Sequence, residues 1–342
     1  MRCLTLAGEL LVGGAEVSFI CRDLPGNLCE FLSEKGLQVF RLSATPMENG
    51  TKGPTDHSKR LGVSCAKDRE ETLAILHQYR PDWLVVDHYA LNADWEFVMR
   101  SDVGKIMVID DLADRVHDCD LLLDQNLYDG WERRYDGLVP DHCMELLGPR
   151  YALLRPEFAS ARKTLRRRDG QVRKILVFFG GSDPSNETAR ALEAIRRLNR
   201  ADIPVDVIVG ASNPSRDLVR TICEGMPATS FHVQVENMAE FMANADLAIG
   251  ASGTATWERC CLGLPSVLVS IALNQVEIGE GVGSHSCAIY LGKSGETDPE
   301  DIRRALVRII GDPEEAVRIG RNAALLVDGL GTTRVWERMR TA

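Results

Sequence analysis

The chain has 342 residues, 44% hydrophobic and 26% charged, with a formal net charge of −10 and a pI near 5.3. That length suits two domains of about 100–200 residues each, with apolar material for two buried cores. The acidic balance excludes general binding to a nucleic-acid backbone, and no apolar run reaches the ~18 residues needed to span a bilayer.

In chain order, Leu4, Leu6, Ala7, Leu10 and Leu11 recur at helical spacing and Gly13-Gly14 closes the helix. Glu9 interrupts this run, which is too short for a secretory leader. Val17–Cys21 then reads as a buried strand. In a parallel α/β unit a strand precedes the helix, so an opening strand is expected to be missing here, and the first helix starts without a capping residue. Alternation continues with strand 36–42, helix 70–79, strand Trp83–Asp87, helix 92–100, strand Lys105–Ile109 ending at Asp110-Asp111, and a short strand Leu121–Leu123 ending at Asp124. Residues 155–174 are basic and lack an apolar face, which reads as an inter-domain connection. Its Arg166-Arg167-Arg168 run reads as a solvated face. Strands and helices then alternate again from Ile175 to a helical tail beyond Asp298. Ten cysteines without a Cys-x-x-Cys pair, several in apolar runs, read as reduced thiols of a cytoplasmic protein, and the adjacent Cys260 and Cys261 as packing residues.

Five constellations carry polar chemistry. Gly180-Gly181-Ser182-Asp183 lies between a strand and a helix, where glycines let backbone N–H groups approach a phosphate. It is neither a dinucleotide fingerprint nor a P-loop, and a tight turn capped by Asp183 and Ser185 explains it equally well. Gly250–Glu258 (GASGTATWE) runs strand, small-residue loop, helix. Ser252, Gly253, Thr254 and the loop N–H groups could hold a diphosphate. Glu258, four residues after Thr254 on the same helix face, could accept both hydroxyls of a ribose. Asn274-Gln275 could cap a helix or bind a sugar. Asp87-His88-Tyr89 at a strand end offers acid–base groups, or a turn with a structural histidine. Asp110, Asp111, Asp114, His117, Asp118 and Asp120 fit no standard metal loop and read better as caps and surface acids, so no metal site and no cofactor are expected.

Met1–Ala7, Asp87–Tyr89, Asp110–Ala113, Leu123–Asn126, Gly148–Phe158, the Gly180–Asp183 loop, and Ser252 through Asn274-Gln275 together resemble the UDP-2,4-diacetamido-2,4,6-trideoxy-β-L-altropyranose hydrolases of pseudaminic acid biosynthesis (PseG), within the wider MurG-like group. The resemblance implies an α/β, GT-B-like fold: two Rossmann-like domains facing a cleft, over residues 1–155 and 172–342, with the last helix packing back on the first domain. It implies metal-independent hydrolysis of a UDP-sugar by C–O cleavage with inversion. Glu258 would hold the ribose, with Asn274, Gln275 and the loop Ser252-Gly253-Thr254 near diphosphate and sugar. Gly180 and Gly181 would allow close approach, and Arg155 would sit at the domain junction. The family's opening strand and Gly-x-Gly-His-x-x-Arg loop have no counterpart, since Met1-Arg2 align with the loop's last two positions. Either the start lies too far downstream or the chain binds without catalysis. The family's base histidine lies in that loop, and His88 is the nearest alternative. The remaining expectations are a UDP-sugar substrate, no nucleic-acid or membrane partner, a monomer, and GT-B glycosyl transfer or non-catalytic binding as the competing functions.

Overall fold

The computed structural model describes residues 1–44 and 61–342. It divides into two compact units: unit 1 comprises Met1–Gln125, Gly130–Leu147 and Thr332–Ala342, and unit 2 comprises Asn126–Asp129 and Gly148–Gly331. The division therefore falls before Gly148 rather than after Arg155, and the final segment belongs to unit 1.

Unit 1 runs α1 (Arg2–Val12), β1 (Ser18–Arg22), α2 (Cys29–Glu34), β2 (Gln38–Leu42), α3 (Cys65–Tyr79), β3 (Trp83–Val86), α4 (Ala93–Met99), β4 (Lys105–Ile109), β5 (Leu121–Asp124) and β6 (Met144–Leu147). The apolar stripe of α1 buries Leu6, Ala7 and Leu10, as its spacing requires. Strands β3-β4-β5-β6 form one parallel sheet and β1-β2 a separate parallel pair. Among the described residues no ladder joins the two sheets, so β1 and β3 each keep one edge without a strand partner. The core of this unit gathers Trp95, Met99, Ile106, Val108, Leu122 and Tyr135.

Unit 2 runs α5 (Pro156–Lys163), β7 (Ile175–Phe178), α6 (Glu187–Leu198), β8 (Val205–Val209), α7 (Arg216–Glu224), β9 (Thr229–Val233), α8 (Met238–Asn244), β10 (Leu247–Ala251), α9 (Ala255–Cys261), β11 (Ser266–Ser270), α10 (Val276–Ser284), β12 (Ile289–Lys293), α11 (Pro299–Gly311) and α12 (Pro313–Leu326). The last helix, α13 (Gly331–Thr341), returns to unit 1, where Thr333 Oγ1 donates to Glu9 and the Trp336 indole fills the space beside Gly13. The unit 2 sheet has the order β12-β11-β10-β7-β8-β9, parallel throughout. Helices cover both faces, which is why β8, β10 and β11 are buried at every position. Chain order reverses between β7 and β10, and the crevice outside the carboxyl ends of these strands is where open α/β sheets bind ligands.

The stretch read as an inter-domain connection is part of this unit. Pro156 starts α5 at its first turn, and Phe158 on that helix is fully buried. Of the run read as a solvated face, Arg166 and Arg167 are exposed and Arg168 is half-buried, but two of its arginines and Arg162 also close helix ends. Arg162 donates to the carbonyls of Cys261, Ala324 and Val327. Arg168 donates to those of Met242, Ala245 and Leu262, and Arg166 pairs with Asp246. Each satisfies the open carbonyls at the ends of α8, α9 or α12, where a cation is also favoured by the helix dipole. Spacing concealed this because the partners are far away in sequence.

Candidate functional site

Both glycine loops flank the reversal of strand order in unit 2. After β7, Gly180 takes φ +95°, and nothing lies within 4 Å of the position a side chain would occupy on Gly180 or Gly181. The Gly181 carbonyl lies against Gly210 so closely that a Cβ at 210 would overlap it, so the contact requires glycine at 210. Asp183, at φ +39° and buried, accepts from the N–H groups of Glu187 and Thr188 and from the Thr188 hydroxyl. Its carboxylate is therefore the cap of α6, which leaves Gly180-Gly181 as the part of the loop open to a ligand.

After β10, Gly250 packs against the Phe178 carbonyl, with 2.2 Å left for a Cβ, so only glycine lets the two strands approach there. The Ser252 hydroxyl is fully buried and donates to the Gln275 carbonyl at 3.0 Å. Because a carbonyl only accepts, the remaining protons are fixed in direction. Ser270 donates to Ser252 at 2.8 Å, and Tyr290 donates to Ser270 at 2.8 Å. Gln275 Oε1 accepts from the Ile271 N–H, and its amide lies over Gly253. The side chains of Ser252 and Gln275 thus hold the loop from behind. What the loop can offer a ligand is its backbone and the exposed Thr254, together with Asn274 on the neighbouring turn.

Glu258 projects from α9 one turn beyond that loop. Burial pushes its carboxyl up to about 7 against the pull of Arg155, whose guanidinium is 3.7 Å away. Arg155 also contacts Glu157 at 3.1 Å and the Glu236 carbonyl. A carboxyl suspended near neutrality beside an exposed loop can accept hydroxyl hydrogen bonds once ionised. Elsewhere on α9, Trp257 is buried and donates to Asn126, and burial raises the thiols of Cys260 and Cys261. A cavity of about 560 Å³ between α5 and α8 is lined by Glu157, Glu236 and Glu240 against the single cation Arg166, a balance that opposes a phosphate there.

In unit 1, His88 Nδ1 accepts from the Ala90 N–H at 3.1 Å. The neutral ring then carries its proton on Nε2, which makes that nitrogen a donor rather than a base. Asp87 is bound by Arg2 and Cys3, and Arg2 also reaches Asp111, tying the ends of β3 and β4 to α1. The acids from 110 to 120 are each claimed by a neighbour. Asp110 is buried, caps Leu112 and Ala113, and pairs with Arg115, while Asp118 and Asp120 share Arg100. His117, grouped with these acids in the sequence, forms a buried pair with Glu96 at 2.8 Å. Among the described residues no group of three acids, cysteines or histidines could hold a metal, and no helix is long and apolar enough to cross a membrane.

Two Rossmann-like units with this strand order point to one architecture, and comparison with a solved structure decides it. The A. baumannii MurG crystal structure superposes with a TM-score of 0.68 at 13% identity, over 100% of this chain and 95% of that one. The fold is GT-B-like. Residues 175–316 match the glycosyltransferase family 28 C-terminal domain, and this segment contains both glycine loops and Glu258. The chain is 30% identical over 191 residues to the spore coat polysaccharide biosynthesis protein SpsG of Bacillus subtilis, covering 55% of this chain but only 56% of that protein. It is 24% identical over 282 residues to the UDP-2,4-diacetamido-2,4,6-trideoxy-beta-L-altropyranose hydrolase of Campylobacter jejuni, covering 82% and 87%.

Sequence reading singled out the loops and Glu258 but not Ser270, Tyr290 or Arg259. Arg259 alone carried a signal, as a second charge beside Glu258 in a short helix that also holds Trp257, Cys260 and Cys261.

Proposed function

We propose that the chain is a cytoplasmic nucleotide-sugar enzyme that binds a UDP-sugar at the β7–β10 reversal of unit 2 and hydrolyses it to UDP and free sugar. The observation that carries this reading is the pairing of the open Gly180-Gly181 loop and the loop after β10 with a half-ionised carboxyl, Glu258, one turn beyond the second. Backbone N–H groups of the Gly180-Gly181 and Ser252–Thr254 segments would take the diphosphate, Glu258 the ribose hydroxyls, and Asn274 and Arg155 groups near the diphosphate and sugar. The similarity to the C. jejuni hydrolase over most of both chains supports hydrolysis, and the sugar of that protein's name as the substrate, in pseudaminic acid biosynthesis.

Cleavage at the anomeric carbon passes through an oxocarbenium-like state. The departing diphosphate gathers charge as the C–O bond breaks, and donors fixed around it stabilise that charge. UDP needs no strong acid to leave. Water enters from the opposite face, giving inversion, and requires a base. His88 meets that requirement poorly while its Nδ1 is held by Ala90.

Glycosyl transfer is the second reading, favoured by the match of residues 175–316 to a glycosyltransferase domain. The deciding experiment follows UDP release from UDP-2,4-diacetamido-2,4,6-trideoxy-β-L-altrose without acceptor or added metal. Turnover with water alone supports hydrolysis. Turnover that appears only on adding an acceptor supports transfer, and UDP binding without turnover under either condition leaves a binding protein.

A further inference from the structure

The guanidinium of Arg259 is buried directly beneath the second glycine loop. Its residue exposure is 2%. One terminal nitrogen donates to the Ala251 carbonyl at 2.6 Å and to Thr256 Oγ1 at 3.1 Å. The other lies 2.9 Å from where a Gly250 side chain would begin. Nε is buried with no hydrogen-bond partner, and among the described residues no carboxylate forms an ion pair with the group.

A buried cation with no bonded carboxylate, on which Glu258 acts only through space, is costly, and exchanging buried ionic groups for apolar ones is often neutral or stabilising. Arg162, Arg166 and Arg168, which are less buried, each close several carbonyls or meet an acid. Arg259 makes two contacts with one nitrogen and leaves Nε without a partner, so its cost is only partly recovered within the protein alone. What the position does supply is a fixed positive charge behind Gly250-Ala251, at the point where strand order reverses. The desolvation that makes the charge expensive also lets it act through the loop with little screening.

We propose that Arg259 is a positioning residue that pre-charges the β10 loop, serving as the buried counter-charge for the diphosphate of the bound nucleotide without touching it. The proposal rests on the reading of that loop as the diphosphate site. It predicts selectivity by ligand charge, which a merely structural side chain would not confer.

The test is calorimetric titration of the full chain with uridine, UMP and UDP, comparing wild type with Arg259→Met, Arg259→Gln and Arg259→Lys. The neutral variants are expected to lose on the order of tenfold to a hundredfold in UDP affinity, the range for one charge pair several ångströms apart at an effective dielectric of about 20. UMP should lose less and uridine about twofold at most. Lysine should restore most of the UDP preference, and unliganded Met should melt no lower than wild type. The UDP loss should persist at about 0.5 M salt, since a buried charge is poorly screened. Equal losses for uridine and UDP, or failure of both neutral variants to fold, would make Arg259 a structural residue and overturn the proposal while leaving the site reading intact. A wild type that does not prefer UDP to uridine overturns both.

Discussion

At the scale of single residues, the candidate site is governed by where protons reside. The carboxyl of Glu258 is held near 7 instead of 4.5 by burial, so it is half protonated at neutral pH and accepts two ribose hydroxyls only when ionised. UDP affinity is expected to rise about tenfold between pH 6 and pH 8, and Glu258→Gln to flatten that rise, once the titration of UDP's own phosphate is removed by comparing the two proteins. The same shift has a stability sign. A carboxyl raised above its unfolded value favours the folded state below about 4.5 and loses that contribution as pH climbs through about 7, so melting of Glu258→Gln should be less pH-dependent in that window. Tyr290 makes a second residue-level case. Its hydroxyl begins the donor chain through Ser270 and Ser252 to the Gln275 carbonyl. Tyr290→Phe removes the first donor and is expected to cost about 1 kcal/mol in urea unfolding, with a smaller loss of UDP affinity than Glu258→Gln.

At the scale of elements, unit 2 is closed by a segment whose composition disguised it. Arg162 and Arg168 are long, charged and spaced without an apolar period, yet each sits where several helix carbonyls converge. Replacing Arg162 by Leu leaves the carbonyls of Cys261, Ala324 and Val327 short of a donor. A destabilisation of about 3 kcal/mol is expected by urea titration, against less than about 0.5 kcal/mol for the neighbouring Arg167→Leu. The glycines divide in the same way. Gly250 is dictated by the strand packed beside it, because a methyl group would lie 2.2 Å from the Phe178 carbonyl, whereas Gly181 has open space above it. Gly250→Ala should therefore lower the unfolding midpoint, and Gly181→Ala should lower UDP affinity with little change in midpoint.

At the scale of the molecule, unit 2 carries a complete six-stranded sheet with its switch point and both loops. A fragment spanning residues 126–331, which keeps Asn126 for Trp257, is expected to unfold cooperatively and bind UDP while releasing none from a UDP-sugar. A fragment that folds but does not bind would move the nucleotide site elsewhere. Unit 1 is less complete, with its β1-β2 pair and its β3–β6 sheet unconnected among the described residues.

The sequence by itself determined the elements with strong periodicity and the loops between them. Apolar runs such as Ile175–Phe178 and Leu247–Ala251 are buried on both faces and so read as strands without help, and glycines clustered at their ends mark where the chain must turn. Short or half-apolar elements were not legible: α2, α7, α8, β6 and β12 lack a run long enough to show a period. What only the tertiary structure decided is the direction of every polar group. Neighbouring residues in sequence give no hint that Ser252 faces Ser270 rather than a ligand, that His88 has its lone pair occupied by Ala90, that Asp183 is a cap, or that three arginines of an apparent linker end helices far along the chain. Hydrogen bonds and charges are settled by distance in space, and the pattern of residues along one strand or helix fixes only which face is buried.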